Sequence, residues 1–259
     1  MKIPKLAVFS SAALAVVVIL QLLLDKPAID LAQAFAPPSL TQPFGKTPLG
    51  QSMLAMVLAG AGQTLAISVF ALVLALGVSL AAAGILYVFP ARVHGAFAYV
   101  IDAWLAIPGI FIALSIGYFL PQSFVSVTIA LVLSEFAALQ KFFLQRLAEA
   151  GRSDYITMAY VMGSTRGHTL VTHVLPRLMR EAGYLFFLTL PSITLSFASL
   201  EFLGVQTGSD RLSLGMQIAV YKDYILLYPH LSLAPVVCLL LLLFLLSSAA
   251  KIVRKASTY

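Results

Sequence analysis

Residues 6–24, 47–91, 103–134, 182–200 and 231–250 contain no Asp, Glu, Lys or Arg. A helix needs about 20 mostly apolar residues to cross the hydrocarbon of a bilayer. In lipid, every peptide N–H and C=O must be satisfied within the spanning structure, which leaves helices as the way to use such runs. Composition points the same way: 61% of the residues are hydrophobic, 10% are charged, and mean hydropathy is +0.98. Soluble domains carry about 25% charged residues. A soluble enzyme, a disordered chain and a disulfide scaffold are excluded, and the single cysteine, Cys238, has no intrachain partner to bridge.

The run 47–91 is too long for one simple span. Its start, 49–62, holds glycines and polar groups and reads as a short interfacial helix, followed by a span over 63–89. The run beginning at 103 is broken by Leu120-Pro121-Gln122-Ser123, a turn signal that separates spans over 96–119 and 124–143. With 6–24, 182–203 and 231–250 this predicts an all-α membrane protein of six spans in a single domain, 1–259. The first segment is longer than the apolar core of a signal peptide. The cleavage-like Ala32-Gln33-Ala34 lies well beyond its end, so 6–24 is read as a retained helix. Six spans place both termini on one side. With that side cytoplasmic, only Lys26, Lys46, Arg211 and Lys222 of the 16 Lys and Arg fall outside. The positive-inside rule therefore accounts for the net charge of +6, and no nucleic-acid partner is needed to explain it.

The loops hold no catalytic motif. Gly45-Lys46-Thr47 lacks the P-loop glycine five positions earlier, where Leu40 stands. His94, His168, His173 and His230 are scattered, with no metal-ligand spacing. The chain is therefore not expected to be an enzyme or to hold a cofactor. If ATP drives it, other subunits bind the ATP and Mg. The inner segment 148–181 is the most informative loop. Asp154 is placed to cap a helix starting at Tyr155, with Tyr155, Met158, Ala159 and Met162 on one face. Gly163-Ser164 marks a turn or a close contact, and a second helical stretch from Arg166 is expected to stop at Leu175-Pro176. Periodicity leaves two uses open: docking into a partner's groove, or lying on the lipid surface under the pull of Arg152, Arg166 and Arg177.

Thr157-Met158-Ala159, Gly163 and His173-Val174-Leu175-Pro176 fall at the spacing of E-A-A, three residues, G, nine residues, I-x-L-P. In this the chain resembles the inner-membrane permeases of ABC importers, most of all the second permease of dipeptide, oligopeptide and nickel importers. Phe44-Gly45-Lys46-Thr47-Pro48-Leu49-Gly50 is similar to that branch's F-G-T-D-x-x-G. Asp102 through Pro108 is similar to its D-x-x-x-A-x-P. Ala198-Ser199-Leu200-Glu201-Phe202-Leu203-Gly204 is similar to its A-S-L-S-F-L-G, with Leu214-Gly215 where W-G is usual. The chain departs from the pattern where Thr157 replaces the motif's glutamate, Lys46-Thr47 replaces Thr-Asp, and Glu201 stands for serine.

The resemblance implies a type I importer permease fold with a cytoplasmic coupling helix between spans 4 and 5. It implies a second, homologous permease, two ATPase subunits, an extracytoplasmic solute-binding protein and a bacterial inner membrane. The solute would be a peptide or a metal chelate. Tyr155, Thr157, Met158, Ala159, Gly163, Ser164, Arg166, His173, Leu175 and Pro176 would then serve ATPase coupling, the last three just after a coupling segment over 155–172. Asp102, Pro108, Ser196, Ser199 and Glu201 are candidates for the translocation pathway, because a charge at the bilayer centre costs roughly 2.5–3.5 kcal/mol and should face protein or water. Packing roles compete: Asp102 as the stay of a kinked helix, Glu135 as a partner of Lys141 or Arg146, and the serines as small packing residues. Arg211, Lys222 and Asp223 on the outer segment 205–229 are candidates for meeting the binding protein, unless that segment rests on the membrane surface. Two other functions remain in view: an ion-coupled secondary transporter, and an ABC exporter of cationic peptides or polyamines. Carriers of the former kind tend to show internal repeats, and none is visible here.

Overall fold

The computed structural model of the chain describes residues 29–40, 42–208 and 212–257. The expected span 6–24 and Arg211 lie outside them. Regular structure among the described residues is helical, apart from an isolated antiparallel bridge between Lys46 and Ser52.

Helix α1 covers Met53–Val88 without a break. At 1.5 Å per residue it is about 54 Å long, well beyond the hydrocarbon thickness. The separate interfacial helix expected over 49–62 is therefore corrected: 53–62 is the first part of α1, and 49–52 precede it as a turn and a bridge. Its polar side chains are buried in packing. Thr64 donates to Gly60 O at 2.8 Å, Ser68 donates to Thr64 O at 2.7 Å, and Gln63 is buried as well. Serine and threonine satisfied on their own helix are compatible with membrane depth. Pro90 disfavours helical backbone at Phe89 and ends the helix.

The span expected over 96–119 is two helices, α2 (Ala91–Leu105) and α3 (Gly109–Phe119), bent by 81°. Pro108 sits at the N-cap of α3, where its missing N–H costs nothing, and it biases Ile107 away from helix. Arg166 donates to Phe89 O at 2.7 Å just before this pair begins, and Gln122 donates to Gly204 O at 3.1 Å just after it ends. Arg166 and Gly204 stand at opposite ends of the helical stretch Arg166–Phe202, so the bent pair runs from one end of the bundle to the other.

Helix α4 (Phe124–Gly151) starts at Ser123, whose hydroxyl accepts from Ser126 N–H at 3.2 Å, and it outruns its expected end at 143. Then come α5 (Asp154–Val161), α6 (Arg166–Thr169), a π turn (Leu170–Val174) and α7 (Leu175–Phe202). The expected stop at Pro176 is overturned: the backbone stays helical from Arg166 to Phe202. The π turn widens the ladder just before Pro176, which falls in the first turn of α7, where a missing N–H is tolerated. Short α8 (Leu214–Tyr221) and long α9 (Pro229–Ser257) complete the chain. Four helical stretches and the bent pair are long and apolar enough to cross a membrane.

The core lies along α1, where α4 and α7 pack, with Leu72, Leu131, Phe143, Ile193 and Phe197 fully buried. Helix α8 is wedged among α1, α7 and α9. A Cβ on Gly215 would stand 2.3 Å from Ala198 O, so only glycine allows α8 to lie so close to α7. Gln217 donates to Met56 O at 2.7 Å, and Leu214 N–H donates to Thr64 Oγ1 at 3.0 Å. Helix α8 therefore packs inside the bundle and does not rest on the membrane surface, while Lys222 and Asp223, just after it, are exposed.

Candidate functional site

The segment between α4 and α7 forms a small structured projection. Ser153, rather than Asp154, occupies the N-cap position of α5, and Asp154 lies in the first turn, where its charge suits the helix dipole. Ile156 anchors the helix and is fully buried. Tyr155, Met158, Tyr160, Val161 and Met162 remain exposed, Val161 at 77% and Met162 at 84%. Thr157, where the resembled motif has glutamate, is exposed and donates to Ser153 O at 3.3 Å.

Helix α5 ends in a Schellman motif: Gly163 N–H donates to Tyr160 O and Ser164 N–H to Ala159 O, both at 2.9 Å. Gly163 has φ +85°. A Cβ there would meet no atom within 4 Å, so within this chain the glycine serves backbone conformation rather than close contact. Thr165 then caps α6, and Ser164 and Thr169 share a hydroxyl hydrogen bond at 3.0 Å.

Two sets of contacts tie this projection to the spans. On one side the Tyr87 and Tyr160 hydroxyls bond at 2.9 Å, and Arg166 holds Phe89 O, so the end of α1 grips both arms of the turn. On the other side Arg177 reaches the Tyr155 hydroxyl at 3.4 Å. That guanidinium holds the Tyr155 phenol below its ordinary pKa. Arg177 also pairs with Glu181 at 3.3 Å, Glu181 with Arg146 at 3.0 Å, and Arg146 with Glu149 at 2.7 Å. His173 stacks edge-on against Tyr155, at 6.3 Å between centroids. Leu175 is half-buried and Pro176 exposed. Sequence reasoning missed Tyr87, Phe89, Arg146 and Glu181 as parts of this site. The spacing of Arg177 and Glu181, four apart on a helix, was the one available signal.

The intramembrane candidates do not form one cluster. Pro108 and Ser196 line a cavity of about 280 Å³ at the α2–α3 bend, together with Glu135, Ser134, Ser192 and Trp104. Asp102 stands apart, half-exposed and paired with Lys141. The pairing expected for Glu135 is thus corrected: Lys141 goes to Asp102 and Arg146 to Glu149 and Glu181, because both bases lie beyond the turn that carries Glu135. Ser199 donates to Leu195 O at 2.8 Å and lies against Phe202 and Leu203. Glu201 is only 2% exposed; one oxygen accepts from Thr207 at 3.4 Å, and the other has no partner among the described residues. Beyond α8, Lys222 lies over the Phe202 ring at 5.9 Å, and Asp223 is exposed. No group of three or more His, Cys, Asp and Glu stands together among the described residues.

Residues 73–258 match the family described as binding-protein-dependent transport system inner membrane component. A putative peptide transport system permease of Brucella suis is 26% identical over 212 residues, 80% of this chain and 71% of that protein. A glutathione transport system permease of Shigella dysenteriae is 24% identical over 204 residues, 79% of this chain and 67% of that protein.

Proposed function

The chain belongs to the family of binding-protein-dependent transport system inner membrane components, and from that membership we propose that it is one permease subunit of an ATP-driven importer of peptide-like solutes. The solute class comes from the relatives, which are named for peptide and glutathione transport. In this reading the chain is a single domain with a sixth span over 6–24, and both termini lie in the cytoplasm. A second, different permease completes the pathway. Two ATPase subunits supply ATP and Mg chemistry, and a binding protein delivers solute from outside near Lys222 and Asp223.

The observation that carries the reading is the α5 projection within the family match. Its outer face is apolar and, among the described residues, uncovered at Met158, Val161 and Met162. Its two arms are held by α1 through Tyr87 and Phe89 and by α7 through Arg177. An ATPase groove closing on that face would move α1 and α7 together, a two-state element biased by a ligand on another subunit. Pro108, Glu135 and Ser196 mark the stretch of α3, α4 and α7 that would line the solute path.

The test is native mass spectrometry of the chain co-expressed with its partner subunits, beside an ATPase assay. Two different permeases with two ATPases are expected, with hydrolysis stimulated by loaded binding protein. Gly163→Glu should lose the ATPases or their coupling. A chain that purifies without ATPases, and drives uptake from a proton or sodium gradient without ATP, would overturn the reading.

A further inference from the structure

Beside the α5 projection, α4 and α7 leave an open cleft of about 950 Å³. Arg146, Arg177 and Arg180 enter it, with the Tyr155 hydroxyl and His173 at its rim. Glu181 is the one carboxylate in the lining, and it is already taken by Arg146 at 3.0 Å and Arg177 at 3.3 Å. Arg180 makes no ion pair among the described residues. Glu149, outside the lining, also holds Arg146 at 2.7 Å, so two carboxylates offset two of the three guanidiniums and the surplus positive charge of the cleft is that of Arg180.

Its depth is marked by the sequence. Helix α7 is free of Asp, Glu, Lys and Arg from 182 to 200, directly after these charges. Tyr184, on the first turn of that apolar stretch, lines the cleft together with Phe142. Aromatic rings and arginines at the end of an apolar stretch sit at headgroup level. Guanidinium forks suit the oxygens of a phosphate, and basic pockets between spans on the cytoplasmic side hold anionic headgroups.

We propose that this cleft binds the phosphate of an anionic phospholipid headgroup, with Arg180 and Arg177 as its main donors. The site excludes Met158, Val161 and Met162 of the ATPase-docking face but shares Tyr155, His173 and Pro176 with the coupling segment beside it. A bound phosphate would share Arg177 with Tyr155, so occupancy would be linked to the position of the coupling helix.

The assembled transporter in mild detergent is titrated with phosphatidylglycerol or phosphatidylcholine and read by native mass spectrometry. Phosphatidylglycerol is expected to bind in preference, and Arg180→Gln to weaken it about fivefold, the share of one arginine near a lipid surface. Arg92→Gln, on exposed α2 outside the cleft, should leave it unchanged. Arg180 holds no partner in the fold, so the variant should keep its melting temperature in phosphatidylcholine. Equal binding of the two lipids, or an Arg180→Gln affinity equal to the parent's, overturns the proposal. Displacement of phosphatidylglycerol by millimolar inorganic phosphate, with the same dependence on Arg180, would uphold the phosphate site and overturn the lipid as its source.

Discussion

Tyr87 and Gly215 show how single side chains set the architecture. The Tyr87 hydroxyl meets Tyr160 73 positions away and joins α1 to α5. A hydrogen bond of this kind contributes a net of about 0.5–1.5 kcal/mol. We predict that Tyr87→Phe raises amide exchange over 154–161 several-fold while exchange in α4 is unchanged; uniform exchange across both would show that the bond does not hold the projection. At Gly215 the obstacle is backbone, since Ala198 O and Cα both lie within 2.7 Å of an added Cβ. Backbone cannot swing aside as a side-chain tip can. Gly215→Ala should cost about 1–3 kcal/mol by overpacking, seen as a melting point lower by several degrees. Both effects escape a one-dimensional reading. Leu214-Gly215 was visible as a motif, but the reason for its glycine is a neighbour on another helix.

At the scale of elements, the coupling segment divides into a part legible in sequence and a part that was not. The α5 start, its exposed apolar face and the turn at Gly163 follow from local signals. Helix propensity ends at glycine, and φ +85° is a conformation that side-chain-bearing residues pay about 1–2 kcal/mol to adopt. With no atom near the missing Cβ, Gly163→Ala should show backbone strain alone. We predict a loss of about 1 kcal/mol, with Gly163→Asn losing less, because asparagine tolerates the left-handed region. Equal losses for the two variants would point to a steric cause instead. The π turn at Leu170–Val174 was not legible. Proline read alone ends a helix, and its tolerance here depends on a ladder shift that carries no residue signature. The same limit applied to 49–62, where Met56 and Gly60 are covered by Gln217 of α8, a neighbour 161 positions beyond Met56.

For the whole molecule, contacts across the bundle order its ends. Gln122 touches Gly204 and Arg166 touches Phe89, so the turns 120–123 and 203–205 share one end, and 89–90 and 162–166 share the other. The orientation proposed from the positive-inside count puts the first end outside. Single cysteines at Gln122 and Asp223 in a Cys238→Ser background should then react with an impermeant thiol reagent from outside, and one at Arg152 only from inside. Labelling of Gln122 from inside would make the α2–α3 pair a re-entrant loop.

The sequence by itself determined that this chain is a helical membrane protein, roughly where the spans among the described residues run, and which family it belongs to. Each of those depends on hydropathy or local spacing, which the residues carry wherever they are placed. The tertiary structure alone decided that the kink expected near Pro108 is an 81° bend between two helices, and that α8 is buried in the bundle. It also decided that Asp102, Glu135 and Glu201 have three unrelated environments. Ion pairing depends on which charges end up adjacent, and a lysine six positions from Glu135 went instead to an aspartate on another helix.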